Sequence, residues 1–385
     1  MTRVAGDWLD RPATQAVLAL LVDAGHRALA VGGCVRNALL GMPVADIDIA
    51  TDARPERVTA LARGAGLRAV PTGIDHGTVT LVVEGGAYEV TTFRRDVATD
   101  GRRATVAYSD DPAEDAARRD FTMNALYADA RGTLFDPLGG LPDLRARRIR
   151  FIGDPGDRIR EDYLRILRFF RFYAWYADPA AGPDAEGLAA CAAMAPGIEG
   201  LARERIGAEM RKLLSAPDPA PAVASMRAAG VLARALPGAT DAALAPLVHL
   251  ERAADAAPDP IRRLAVLGGD RPKRDLRLSR AEAKRLALLR GAAGDTAGPG
   301  ELGYRLGAEA ARDVLLIRAA GSGTPLAAGD LAAAAAAARA VFPIAARDLA
   351  DRHRGAALGA ALKRLEADWI ASGFALDRAA LLARA

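Results

Sequence analysis

Cysteine is nearly absent. Cys34 and Cys191, far apart among 385 residues, form no C-x-x-C, so neither a disulfide framework nor a zinc site is indicated. Histidine is equally scarce, and none of the four (His26, His76, His249 and His353) sits at metal-ligand spacing. His76, in TGIDHGTVT, reads as a turn residue rather than a catalyst. No apolar run approaches the roughly 18 residues a membrane span requires, the longest candidates being AVLALLV and the alanine run near 332. The N-terminus carries Asp7 and Asp10 and lacks a basic-then-apolar signal pattern, so a cytoplasmic chain without membrane contact is expected. Lysine is rare as well: four lysines stand against 48 arginines, and the formal net charge is only +4. An arginine and alanine bias of this kind also follows from GC-rich coding, so local clusters carry more information than global charge. What is abundant is apolar content, 51%, enough with this length for roughly two or three domains.

The chain is organised around Val31–Thr51, VGGCVRNALLGMPVADIDIAT. It reads as a strand end, a Gly-Gly turn, a short helix over Cys34–Leu40, and a second strand over Ala45–Thr51. Strand alternation turns Ile47 and Ile49 to one face and Asp46 and Asp48 to the other. Two carboxylates so close repel unless a cation lies between them, and hard oxygen ligands suit Mg²⁺. Gly32-Gly33 lets backbone amides approach a phosphate at a helix start. A phosphate cradle followed by a two-aspartate clamp is equipment for two-metal nucleotidyl transfer.

Further along, a helix is expected from about Pro12 to Ala24, a strand over Ala28–Val31 and a helix over Arg54–Ala65. Strands Thr78–Val83 and Tyr88–Phe93 flank a Glu84–Ala87 turn. Arg94–Val106, with Gly101 at its middle, is charged and aperiodic, and reads as a mobile basic loop. Arg118–Asp120 then reads as the opening of a helix. There arginine can hold phosphate oxygens and Asp can accept from ribose hydroxyls. A capping Asp with solvated arginines fits the same residues. Phe121, Met123 and Leu126 are expected in the core.

Nine arginines fall between Leu144 and Phe172, ending in DRIREDYLRILRFFRFYAWY, read as a long helix from Glu161 onward. Asp162, Arg165, Arg168 and Arg171 recur every three residues on one flank. Cytosine and adenine both offer an amino donor beside a ring-nitrogen acceptor, whereas uracil and guanine reverse that order. A carboxylate and a guanidinium at i and i+3 match the first pattern and leave unpaired groups against the second. The same spacing also fits ordinary salt bridges among Glu161, Asp162 and Arg165 on a solvated helix. From about residue 180 the chain is Ala- and Arg-rich and helical, and LAAAAAAARAVF needs no function beyond helix propensity.

Gly-Gly followed by Asp-x-Asp resembles the DNA polymerase β-like nucleotidyltransferases. GGCVR, RRDFTMNA, REDYLRILRFFRF and Ile198–Ala216 narrow the resemblance to the class II, bacterial and eukaryotic, CCA-adding tRNA nucleotidyltransferase and poly(A) polymerase family. The resemblance covers about the first 215 residues. It implies an α/β head with the DNA polymerase β-like nucleotidyltransferase fold, followed by an all-α neck, body and tail. The corresponding ranges are 1–145, 146–216, 217–300 and 301–385, the last binding tRNA. Asp46 and Asp48 would then be catalytic and bind Mg²⁺, with Glu89 either a third ligand or a solvent-facing strand residue. Gly33, Arg36, Arg119 and Asp120 would hold triphosphate and ribose. Asp162 and Arg165 would select the base, Arg168 and Arg171 would meet phosphates or the primer end, and Arg203 and Arg205 would support the pocket.

The implied activity is template-independent addition of CCA to tRNA from CTP and ATP, with no obligatory protein partner. The loop at Arg94–Val106 resembles one whose loss accompanies CC-only addition, so its presence implies that adenosine is added too. Poly(A) polymerase and A-only addition are alternatives, the first opposed by TGIDHGTVT where poly(A) polymerases carry a basic segment. A non-catalytic RNA-binding protein is a more remote one, opposed by the intact Asp46 and Asp48. The histidine pattern also implies no appended phosphohydrolase domain of the kind fused to some relatives.

Overall fold

Ile47 and Ile49 are buried while Asp48 between them is only partly covered, so the alternation read from IDIAT is realised in strand β2, Ile47–Thr51. The computed structural model describes residues 2–73, 77–100 and 103–385, so His76 and Gly101 lie outside the described residues. Two compact units are present, Met1–Ala235 and Leu236–Ala385, and the break falls inside the 217–300 stretch.

In the first unit a seven-stranded sheet joins β1 (Ala28–Val31) and β2 to β3 (Arg68–Gly73), β4 (Thr78–Val83), β5 (Gly86–Thr92), β8 (Tyr127–Ala128) and β9 (Leu134–Phe135). Its order is β3-β4-β5-β2-β1-β8-β9, antiparallel except for β2 against β5. The β4–β5 turn is shorter than Glu84–Ala87. Glu84 and Gly85 alone make it, with φ of 49° and 78°, the left-handed pair whose twist suits a two-residue hairpin. Helices Pro12–Val22 and Pro55–Gly64 pack on the sheet, burying Val17, Leu18 and Leu21 from the first and Val58 and Ala62 from the second.

Three expectations are corrected. Arg94–Val106 is not an irregular loop: β6 (Arg94–Asp100) and β7 (Arg103–Tyr108) pair antiparallel as a separate two-stranded sheet, with a register shift between Asp96 and Ala98. A two-stranded ribbon need not bury one face, so it lacks the alternation by which a strand is read. Arg118–Asp120 does not open a helix. Arg118 caps the C-terminus of helix Pro112–Ala117, where a cation is favoured by the helix dipole. The long helix from Glu161 is broken, because Pro155–Glu161 ends at Asp162, whose φ of −157° and ψ of 105° are extended, and Leu164–Tyr176 starts anew.

The second of these helices is seated by aromatic packing. Phe121 lies 4.9 Å from both Phe151 and Phe172, and Phe151 stacks on Phe169 at 5.6 Å. Phe121, Met123 and Leu126 are fully buried, as expected. Full burial of a Phe stabilises by roughly 1.5–3 kcal/mol, so this cluster sets the helix firmly against the Arg118–Asn124 segment.

The second unit is helical. Its interior holds a paired charge cluster, in which Glu251 accepts from Arg262 and Arg263, and Asp313 from Arg262 and Arg285. The alanine run has a packing role: a Cβ on Gly303 would lie 2.0 Å from the Ala334 carbonyl oxygen, so helices Pro299–Leu306 and Asp330–Ala337 touch backbone to backbone. Among the described residues no helix is long and apolar enough to cross a membrane.

Candidate active site

A cleft of about 460 Å³ in the first unit is lined by Gly33, Arg36, Asp48, Arg119, Asp120, Asp162, Arg165, Arg168 and Arg171. Nine of the ten residues given a catalytic, metal or nucleotide-binding role from the sequence, apart from Glu89 and the supporting Arg203 and Arg205, therefore meet in one place. The tenth, Asp46, precedes β2, is exposed and does not line the cleft. Gly32, Asn124, Leu164, Phe172 and Arg205 complete the lining. Six arginines face three aspartates there, so the cleft favours an anion.

Gly32 has φ 72°, a backbone conformation strained for any residue with a side chain, and a Cβ there would stand 3.4 Å from Arg119 Nη1. Asp48 stands beside Glu89 across the parallel β2–β5 register. Burial, Glu89 and Asp46 push the Asp48 carboxyl up to about 6, with Arg119 opposing them. Glu89 is exposed on that same face, opposite Asp48 in the register. Among the described residues, no three His, Cys, Asp or Glu side chains converge closely enough to hold a metal ion by themselves. Cys34, buried nearby, is pushed to about 11 by burial and is a thiol rather than a nucleophile.

Several expected ligands have partners inside the protein. Arg36 is buried, donating to Asn124 Oδ1 at 2.5 Å and to the Tyr176 hydroxyl at 2.8 Å, with its guanidinium carbon 4.1 Å from the Tyr176 ring centre. It thus ties the Gly33–Leu39 helix to the Leu164–Tyr176 helix. Asp120 accepts from Arg168 Nε at 2.7 Å and also from its Nη2, while Asn124 Nδ2 (2.8 Å) and the Phe121 N–H (2.9 Å) occupy its other oxygen. Burial raises this carboxyl, but Arg168 and those donors outweigh it and hold Asp120 below the usual carboxylate range. Four bonds fill its acceptor sites, so a ribose hydroxyl would have to displace one of them.

Asp162 and Arg165 do not pair with each other. Asp162 accepts from the Leu164 N–H at 3.1 Å and from Arg205 Nη2 at 2.7 Å. Arg165 forms the i,i+4 ion pair with Glu161, and donates to the Arg158 carbonyl at 2.7 Å and the Arg118 carbonyl at 3.2 Å. The i,i+4 ion pair that spacing alone offered is therefore formed, and its Arg165 member lines the cleft. Arg171 is held by Glu209 at 2.6 Å. Arg205 lines the cleft; Arg203 does not.

Asn124, Phe172, Tyr176, Asp115 and Tyr127 escaped the sequence reading. Asn124 and Phe172 stand inside RRDFTMNA and REDYLRILRFFRF, and Asp115 lies four residues before Arg119, with which it pairs at 2.9 Å.

Residues 28–150 match the poly A polymerase head domain, and 183–243 match a probable RNA and SrmB-binding site of polymerase A. The human mitochondrial CCA tRNA nucleotidyltransferase 1 is 43% identical over 196 residues, 51% of this chain and 45% of that protein. A CCA-adding enzyme of Geobacillus thermodenitrificans is 41% identical over 216 residues, 56% of this chain and 52% of that one. The chain thus spans about half the length of the curated relatives it matches. The crystal structure of the Bacillus stearothermophilus CCA-adding enzyme in complex with CTP superposes with a TM-score of 0.73 at 30% identity, covering 94% of each chain.

Proposed function

The chain belongs to the family of CCA-adding tRNA nucleotidyltransferases and poly(A) polymerases, and we propose that it adds CCA to the 3′ end of tRNA from CTP and ATP without a nucleic-acid template. The carrying observation is the single cleft in which Asp48, Gly33 and the arginines of four separate sequence segments meet. Its volume suits one nucleotide.

Enzymes of this family use a divalent metal, and Mg²⁺ is the ion we propose here. The donor set fits it: Asp48 with neighbouring Glu89 and Asp46 offers oxygen alone, and Mg²⁺ commonly takes one or two carboxylates and completes its shell from water and substrate phosphate. Bound there, the ion would supply positive charge for the attacking 3′ hydroxyl and the departing pyrophosphate. Arg119 would hold triphosphate oxygens at the Gly32-Gly33 turn, with Arg168 and Arg171 beside it. Asp120, saturated by its present bonds, would act chiefly by aiming Arg168. Arg36, buried against Tyr176, would shape the triphosphate site from behind. Asp162 would accept from the amino group of cytosine or adenine while Arg165 donates to the ring nitrogen. Arg205 and Glu161 keep the two in place.

The division into head, neck, body and tail, and a cytoplasmic location, belong to the same proposal. RNA binding has local support in the second unit. Arg271, Lys273 and Arg274 are exposed, have no side-chain partner there, and rim a cleft of about 680 Å³ floored by Pro272, Leu278 and Leu286. The arginines of the same unit's interior are paired, so this cluster is the better candidate for phosphodiester contact.

The deciding experiment is incorporation on a tRNA ending at the discriminator base, with Mg²⁺ and each labelled NTP alone and combined. Two cytidines and one adenosine followed by arrest are expected. A lengthening adenylate ladder from ATP alone would instead establish a poly(A) polymerase. Addition of A only to tRNA already ending in CC would establish the partial activity. No product on any RNA would point to a non-catalytic role.

A further inference from the structure

The guanidinium of Arg119 is gripped on one side only. Its Nε lies 3.2 Å from an Asp115 carboxylate oxygen and 3.2 Å from the Tyr127 hydroxyl, and its Nη2 donates to the same Asp115 oxygen at 2.9 Å. Tyr127 donates to that oxygen as well, at 2.9 Å. The direction of each bond is forced. Arginine can only donate, so the Tyr127 oxygen accepts from it and passes its own proton toward the carboxylate. Asp115 and Tyr127 are 2% and 0% exposed, whereas the Arg119 side chain keeps 24% of its surface on the cleft.

Nη1 is the nitrogen left over. No partner is formed by it among the described residues, and it faces Gly32, where a Cβ would stand 3.4 Å away. Because the guanidinium is rigid and planar, holding Nε and Nη2 sets the direction of Nη1 as well. We infer that Asp115 and Tyr127 are positioning residues that present Arg119 Nη1 to the triphosphate of the incoming nucleotide. The inference rests on the nucleotidyltransferase reading above. A donor already aimed at the place where phosphate charge arrives needs no reorganisation when the substrate binds. A purely structural ion pair has no need to leave one nitrogen turned to the glycine turn. Burial keeps the Tyr127 hydroxyl protonated, which sustains its bond to Asp115.

The test is equilibrium binding of CTP and of CMP to the full chain, for wild type, Asp115→Asn, Tyr127→Phe, Arg119→Ala and the two double variants with Arg119→Ala. Tyr127→Phe retains the ring and its packing, so it reports even where Asp115→Asn lowers the melting temperature. Either single substitution is expected to weaken CTP about tenfold and CMP less than about twofold, the size expected when a charge-assisted contact is misaligned. Added to Arg119→Ala, neither is expected to weaken CTP further. Equal weakening of CTP and CMP, or losses that add to that of Arg119→Ala, would overturn the inference. CTP binding indifferent to both substitutions overturns this inference alone. A wild-type chain that binds no CTP overturns the nucleotidyltransferase reading and this inference with it.

Discussion

Arg205 Nη2 donates to Asp162 Oδ2 across 2.7 Å, so the carboxylate proposed to read the incoming base is aimed by a residue 43 positions later in the chain. The remaining oxygen of Asp162 accepts from the N–H of Leu164, the first residue of the following helix, at 3.1 Å. Removing Asp162 leaves the amino group of cytosine or adenine without its acceptor, a loss on the order of 1–3 kcal/mol. Asp162→Ala is expected to reduce the preference for C and A over U tenfold or more at about that energy. Arg205→Ala should shift it in the same direction by less. Single-turnover incorporation of each NTP measures both, and unchanged selectivity in Asp162→Ala would remove the base-reading assignment.

Asp48→Ala should abolish transfer, and chelation by EDTA should do the same to wild type, reversibly on adding Mg²⁺. Glu89→Gln removes a neighbour that raises the Asp48 carboxyl and should change the Mg²⁺ concentration needed for half-maximal rate more than it changes folding. Full turnover by Asp48→Ala would displace the metal assignment.

Arg36→Met should cost about 2–4 kcal/mol of stability, because it leaves Asn124 and Tyr176 without their buried donor and removes a cation–π contact. Tyr176→Phe gives up one charge-assisted bond and should cost about 1–3 kcal/mol. Urea unfolding of the whole chain reports both, and wild-type stability in Arg36→Met would show that the bridge to helix Leu164–Tyr176 carries no weight.

Acid should weaken the fold through Asp120 and Asp143. Burial raises both carboxyls, but Arg168 with Asn124 in one case, and Thr122 with Arg150 and Arg148 in the other, hold them below the ordinary range. A depressed folded-state value means that the stability is fully present above the unfolded value near ~4 and is lost as pH falls through the lower folded value. Melting temperature should therefore fall below about pH 4, and less steeply in Asp143→Asn. An identical acid profile in that variant would contradict the linkage.

Replacing Arg271, Lys273 and Arg274 together by Ala should leave CTP binding intact and lower the salt dependence of tRNA affinity by about two to three units of log–log slope. An unchanged slope would move RNA contact elsewhere on the chain.

Local chemistry settled much of this protein in advance. Alternation over IDIAT needs no partner to place Ile47 and Ile49 inward and Asp48 outward, and Gly32 announces a turn because few other residues accept its backbone angle. Phe121, Met123 and Leu126 were legible as core for the same reason: apolar spacing is local. Tertiary structure decided what those groups touch. Nothing in the order of residues says that Asp162 is held by Arg205, that Asp120 is spent on Arg168, or that Arg36 turns away to Tyr176. Each partner lies 43 to 140 positions away, and which buried donor meets which acceptor depends on how helices seat against the sheet. The break at Asp162 was hidden too, since helical periodicity runs straight through it, while the following helix packs its Phe169 against Phe121 and Phe151. The β6–β7 ribbon became visible only once its backbone was paired.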